Sequence, residues 1–252
     1  LLGVGRCYRW TMFSIRSAAP SPVIRLFVLL ISLFVASPAL AANAAVAFVN
    51  VDVVPMDSNR VLRDQTVIVE GGRIAAVGRG LQVPAGVKII DGKGRYLSPG
   101  LADMHNHSET REDLALFLAN GITTMLNLGE APNNFVGRTR LAVEKGDVPG
   151  PRVLLALAVD GSPQYGHLVV ATPEDARAAV RIAKANGYGF IKVYNNLSPD
   201  VFAAVMAAAR TDGLAVVGHG VRSVGLEKQL GAGQAMAAHA EEFFYAFFTP
   251  PG

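Results

Sequence analysis

The chain has 252 residues, 51% of them hydrophobic and 17% charged, enough apolar matter for a buried core and too polar overall for a multi-span membrane protein. Its formal net charge of +3 is a local effect, because residues 1–42 hold four of the 23 basic residues and none of the 20 acidic ones, which leaves 19 against 20. Nucleic-acid binding through a basic surface gains no support from that balance.

The chain opens on a segment that reads as a secretory signal. Arg16 and Arg25 precede the apolar stretch Leu26 to Ala36, and Pro38-Ala39-Leu40-Ala41 supplies small residues for cleavage. Met12 is a plausible start, with Leu1 to Thr11 as upstream translation. The competing reading is an uncleaved membrane anchor, but an apolar core of about eleven residues falls short of the roughly 20 that span a bilayer. The only cysteine, Cys7, lies in this leader, so the mature chain carries no thiol. That suits a secreted protein in an oxidising compartment, most simply a bacterial periplasm, with no membrane attachment after cleavage.

Residues 43–98 read as β structure. Val46 to Val54 is an apolar, β-branched run, and Thr66 to Glu70 is followed by Gly71-Gly72 and then Arg73 to Gly78, a hairpin signal. Val87 to Asp91 and the turn Gly92-Lys93-Gly94 complete what the pattern predicts as a small antiparallel unit.

From Pro99 strands and helices alternate, the signature of βα units and a parallel sheet. Strands are predicted at 100–105, 122–127, 152–158, 189–194, 214–219 and 235–239, and helices at 110–120, 133–145, 173–186, 199–211 and 223–231. Thr172-Pro173-Glu174-Asp175 and Ser198-Pro199-Asp200 each pair an N-cap with proline at the first helical position. A doubly wound open sheet would alternate in the same way, but no Gly-x-Gly-x-x-Gly follows a strand. Six βα units fit between Pro99 and Gly252, whereas a closed eight-stranded barrel takes about 250 residues. The expectation is an incomplete reading frame, with strands 7 and 8 and the rest of the β module beyond Gly252.

Five residues stand at the predicted ends of strands. His105 and His107 share one side of the first strand if it runs through them, giving two imidazoles suited to zinc. Lys192 sits inside the apolar strand Phe190-Ile191-Lys192-Val193, where a buried cation is costly. His219 closes the fifth strand and His239 the sixth. A surface lysine and structural histidines are the ordinary alternatives for each one alone. Softer candidates for contacting substrate are His167 in the glycine-rich loop after the third strand, Tyr194 after Lys192, and Arg222 after His219. A loop histidine without a role fits His167 equally, a tyrosine capping a strand is usually packing, and a surface arginine is the safer reading of Arg222. The aromatic group Phe243, Phe244, Tyr245, Phe247 and Phe248 reads as a pocket wall or as core packing.

Ser98-Pro99-Gly100-Leu101-Ala102-Asp103-Met104-His105-Asn106-His107, with Lys192, His219 and His239 in order behind it, resembles the amidohydrolase superfamily, metal-dependent hydrolases on a (β/α)8 barrel. Ile191-Lys192-Val193-Tyr194 and Gly218-His219 resemble its imidazolonepropionase-like and prolidase-like branch. The resemblance implies an α/β fold, a TIM-type barrel cut after about six βα units and preceded by part of a β-sandwich. It implies two divalent ions, zinc above all, with His105 and His107 on the first, His219 and His239 on the second, and carboxylated Lys192 between them. A hydroxide held between the ions would attack a C–N bond of a small-molecule amide, in a cyclic amide, a dipeptide or an N-acyl amino acid. The family's strand-8 aspartate, which shuttles the proton, is not in this sequence, and Asp103 does not replace it. Without it, the alternative is a non-catalytic barrel fragment that binds metal or ligand. No nucleic-acid partner is implied, and oligomer formation is left open.

Overall fold

The computed structural model describes residues 45–248. They fall into two compact units that divide between Ser98 and Pro99. The signal-peptide expectation lies outside the described residues. No described helix is long and apolar enough to cross a membrane.

The first unit is one five-stranded sheet built from β1 (Val46–Val53), β2 (Leu62–Glu70), β3 (Arg73–Gly78), β4 (Lys88–Asp91) and β5 (Tyr96–Leu97). The Gly71-Gly72 hairpin forms as expected, with Glu70 opposite Arg73. Both glycines have positive φ, 57° and 74°, which the tight turn demands and side chains resist. The sheet is mixed, which corrects the antiparallel expectation. β4 and β5 both run parallel to β1, one after the other along the same edge. Short apolar runs carry no signal of strand direction, so alternation alone could not separate the two arrangements.

The second unit is a curled, all-parallel sheet with helices on its outer side. Its strands are β6 (Leu101–Asn106), β7 (Ile122–Asn127), β8 (Arg152–Asp160), β10 (Phe190–Val193), β11 (Ala215–Gly218) and β12 (Met236–Ala237). They lie in chain order from β6 at one edge to β12 at the other, with the short β9 (Leu168–Val169) pairing on β8. This is the α/β half-barrel anticipated from the sequence.

The helices follow from local chemistry. In α1 (Arg111–Ala119) and α3 (Pro173–Ala185), Thr110 and Thr172 cap the helix, and Asp113 and Asp175 reach back to the cap residue's N–H. α3 buries Ala176, Ala179, Val180 and Ala183, the i, i+3, i+4, i+7 stripe of an amphipathic helix. α4 (Pro199–Asp212) buries Val201, Phe202, Val205, Met206 and Ala209 and ends at Gly213 in the left-handed conformation. The single helix expected over 133–145 is instead a π-helical turn, Phe135–Thr139, running into α2 (Arg140–Glu144). The wider turn buries both Phe135 and Val136. Two short helices, α5 (Leu226–Gly231) and α6 (Glu241–Phe248), complete the unit.

The sheet separates two apolar layers. The outer layer joins Ile191, Val193 and Val216 to the buried stripes of α3 and α4. A smaller inner layer joins Leu126, Leu128, Ala156 and Val217 on the concave side. Residues that alternate with the outer set therefore point into the hollow of the curl.

Candidate metal centre and active site

Strand alternation aims the candidate residues. Ile191 and Val193 pack outward, so Lys192 between them faces the hollow, 1% exposed. On β11 Val216 packs outward and Val217 inward, and the ladder continues through His219, whose N–H donates to the Val193 carbonyl at 2.9 Å. The inward side therefore carries Val217 and His219. Gly218 makes this register possible. With φ at 126°, it brings its backbone so close to β10 that a Cβ would lie 2.3 Å from the Val193 oxygen and 3.1 Å from Lys192 Cγ.

The five predicted ligands gather at the C-terminal ends of the strands. The His105 ring lies 5.4 Å from that of His107 and 4.7 Å from that of His239, and His219 lies 4.3 Å from His239. Tyr194 stacks between His219 at 4.1 Å and His167 at 4.0 Å, and its ring centre is 5.0 Å from Lys192 Nζ. Two of the three softer candidates, His167 and Tyr194, therefore join the cluster. His167 does not sit on a free loop: a 3-10 turn, Pro163–Tyr165, and Gly166 lead into it, and β9 follows directly. Arg222 is the exception. It is exposed, and among the described residues no ion pair or side-chain hydrogen bond ties it to the cluster. Its backbone N–H bonds the Asn195 carbonyl instead. Asp103 has a structural task, accepting the His105 backbone N–H at 3.0 Å.

The ring tautomers follow from the partners of Nδ1. His105 Nδ1 lies 3.2 Å from the Ala238 carbonyl oxygen, His107 Nδ1 3.3 Å from the Gly129 carbonyl oxygen, and His219 Nδ1 3.0 Å from Glu242 Oε1. These oxygens accept, so each Nδ1 carries the proton and each neutral ring keeps its lone pair on Nε2. The Nε2 of His219 is buried and has no hydrogen-bond partner among the described residues; that of His167 shares this state.

Electrostatics keep the cluster low in charge. Burial lowers the pKa of His105, and the nearby charges of Lys192 and His239 lower it further. Burial likewise lowers His219, to about 3, with His239 and Lys192 adding to it. Burial brings the Lys192 ammonium down to about 8, against an opposing pull from Glu130. Burial raises the Tyr194 phenol.

The residues fit a metal centre in donor chemistry. Three tautomers present Nε2 lone pairs, one of them on an orphaned buried nitrogen, beside an amine that is largely desolvated. Among the described residues, no three His, Cys, Asp or Glu side chains already stand close enough together to hold an ion.

Four residues of the site were not singled out in the sequence. Glu130 follows β7 with φ at 69° and stands 3.5 Å from His107 Nδ1 and 3.7 Å from His167 Nδ1. Glu242 supports His219. Gln229 and Gln234, both buried, donate to the His219 carbonyl, and Gln229 also accepts the Val221 N–H. Only Glu130 had a partial cue, its place just past a strand end.

No family model matches the chain. A deacetylase of Agrobacterium fabrum is 38% identical over 80 residues, covering 29% of this chain and 20% of the relative. A dihydroorotase of Trichlorobacter lovleyi is 49% identical over 41 residues, 16% of this chain and 10% of the relative. Among solved structures, a provisionally named prolidase from Bifidobacterium longum superposes with a TM-score of 0.67 at 26% identity, over 76% of this chain and 53% of that one. Over these stretches the chain is similar to members of the amidohydrolase superfamily. Amidohydrolases of this kind are generally metal-dependent. The chain spans about half the length of the solved neighbour and a fifth or less of those two curated relatives.

Proposed function

We propose that the protein is a metal-dependent hydrolase of amide or cyclic amide C–N bonds, with dipeptides and N-acyl amino acids as the first substrates to test. The observation that carries this reading is the convergence of His105, His107, His219 and His239 around buried Lys192, with the Nε2 of His219 left without a partner.

In this reading His105 and His107 hold one divalent ion, His219 and His239 a second, and zinc is the expected metal. When bound, the ions supply an activated water and polarise the amide oxygen. The chain's own residues prepare the place. Lys192, lowered to about 8, has a neutral fraction at working pH that can add CO2. The amine nitrogen bonds the carbon of CO2 and loses a proton to solvent, leaving an anionic carbamate that can bridge two cations. Tyr194 packs on the His219 ring, which also touches His239. His167, with a free buried Nε2, can hydrogen-bond a bound substrate. No residue of this chain is assigned the proton transfer to the leaving amine. Export to the periplasm with cleavage near Ala41 belongs to the same reading and is checked by N-terminal sequencing of the exported protein.

The test is a panel of dipeptides, N-acyl amino acids and lactams, assayed on full-length protein with zinc counted per chain. Zinc-dependent turnover of one class, lost in His219→Ala together with the metal, supports the reading. Metal binding without turnover of any class favours a ligand-binding role, and no bound metal overturns both.

A further inference from the structure

Glu242 is the most deeply buried carboxylate touching the cluster, 6% exposed, and its buried setting needs a physical reason. It lies in the first turn of α6, directly after the loop that carries His239; its N–H donates to the His239 carbonyl at 3.2 Å. The side chain turns back into the hollow and places Oε1 3.0 Å from His219 Nδ1. Gly220 makes room for it: a Cβ at that position would meet Glu242 Oε2 at 2.5 Å. Among the described residues His219 is its one ion-pair partner.

Burying a carboxylate costs several kcal/mol, on the order of the penalty for any lone ion, unless opposite charge lies near. Among the described residues its side chain meets a single imidazole, that of His219. The far nitrogen of the same ring is buried and unpartnered. Both anomalies have one resolution, a cation beyond Nε2.

We propose that Glu242 is a positioning residue for the metal centre, accepting the Nδ1–H of His219 so that its Nε2 lone pair is held toward the ion, and supplying negative charge through the ring. The proposal rests on the metal-centre reading above. It adds a charge argument: four imidazoles contribute no negative charge, so two divalent ions would find their counter-charge in a carbamate on Lys192 and in the carboxylates behind the rings, Glu130 beside His107, Glu241 beside His239 and, the most deeply buried of the three, Glu242 beside His219. A carboxylate behind a ligating imidazole raises its basicity, and losing it typically costs about 10–100-fold in metal affinity.

The experiment compares full-length wild type, Glu242→Gln and Glu242→Ala by chelator competition for zinc and by the absorption spectrum of the cobalt(II) form. Histidine 15N shifts of the metal-free proteins report the His219 tautomer. Zinc dissociation constants should rise in the order wild type, Glu242→Gln, Glu242→Ala, with the alanine variant weaker by about 10–100-fold. The glutamine oxygen can still accept Nδ1–H, so that variant should keep the tautomer and lose part of the affinity; it also keeps the test open if the alanine variant does not fold. Excess zinc should restore metal loading in both. Dissociation constants within twofold of wild type in the variants overturn the role of Glu242. Absence of zinc from wild type overturns the metal-centre reading itself, a different failure.

Discussion

The Asp160 carboxylate accepts two hydrogen bonds from Asn196, one from the backbone N–H and one from the side-chain amide, both 2.9 Å. A third comes from the Gly161 N–H at 2.9 Å, and Asp160 is fully buried. One side chain thus ties the loop after β8, which leads to His167, to the loop after β10, which begins with Tyr194. Hydrogen bonds to a charged group contribute about 1.5–3 kcal/mol, and stranded buried donors cost more. Asp160→Ala should lower stability by about 3 kcal/mol or more on that scale. Amide exchange should accelerate at Gly161 and Asn196. A urea midpoint equal to wild type would contradict the structural role.

Lys192 is predicted to matter as an amine that can react with CO2. Arginine keeps the charge but has no amine for that reaction. Lys192→Arg should therefore lose bound metal and turnover together. Lys192→Ala should lose both as well, with short-chain carboxylic acids restoring part of the metal binding. Metal content with and without bicarbonate is the measurement, and a Lys192→Arg protein that keeps two metals removes the bridging role.

The same lysine sets a pH dependence in the metal-free chain. Its pKa falls from 10.5 to about 8 on folding. Between those values the unfolded chain binds a proton that the folded chain does not, so stability rises with pH across that window. Below pH 8 the cost is present in full, on the order of 3 kcal/mol at about 1.4 kcal/mol per unit. Lys192→Met should stabilise the metal-free protein at neutral pH and abolish the rise. Denaturant midpoints at pH 7, 8, 9 and 10 would show it, and parallel curves for the two proteins would refute it.

Two glycines separate strain from collision. Gly121 has φ at 81° with nothing within 4 Å of a Cβ, whereas Gly218 meets the Val193 backbone oxygen at 2.3 Å. Gly121→Ala should cost about 1 kcal/mol, the ordinary penalty for positive φ. Gly218→Ala should cost more than about 3 kcal/mol, because β11 must part from β10. It should also weaken zinc binding by displacing His219. Equal melting temperatures for the two variants would show that β11 can shift freely.

The barrel unit was largely legible because each βα unit writes its own punctuation. Thr172-Pro173 and Ser198-Pro199 marked helix starts, and the runs around Ile191 and Val216 marked strands, each within two residues of the observed bounds. The convergence of the histidines was legible because parallel strands put their ends on one side. The parallel pairing of β4 and β5 was not, since direction is settled by long-range packing. Nor were Glu242 and Gln229. Glu241 and Glu242 look alike as first-turn acids, and only the fold decides that one of them is buried. Nor was the direction of Arg222 legible, for the same reason: a residue four beyond the end of β11 can turn either way.

β6 and β12 are the two edges of the curled sheet, yet His105 and Ala238 meet at 3.2 Å across 133 positions of sequence. Closing so long a span carries a loop-entropy cost of order (3/2)RT ln n, which local contacts do not offset. The edges should therefore come together late in folding, and the junction should be the first to part. Ions held by His105 and His107 on one edge and by His219 and His239 on the other, joined through a carbamate on Lys192, would fasten that seam, stabilising the folded chain in proportion to the logarithm of their concentration over their dissociation constant. Zinc availability during synthesis would then govern how much of this chain survives proteolysis, before any substrate is met.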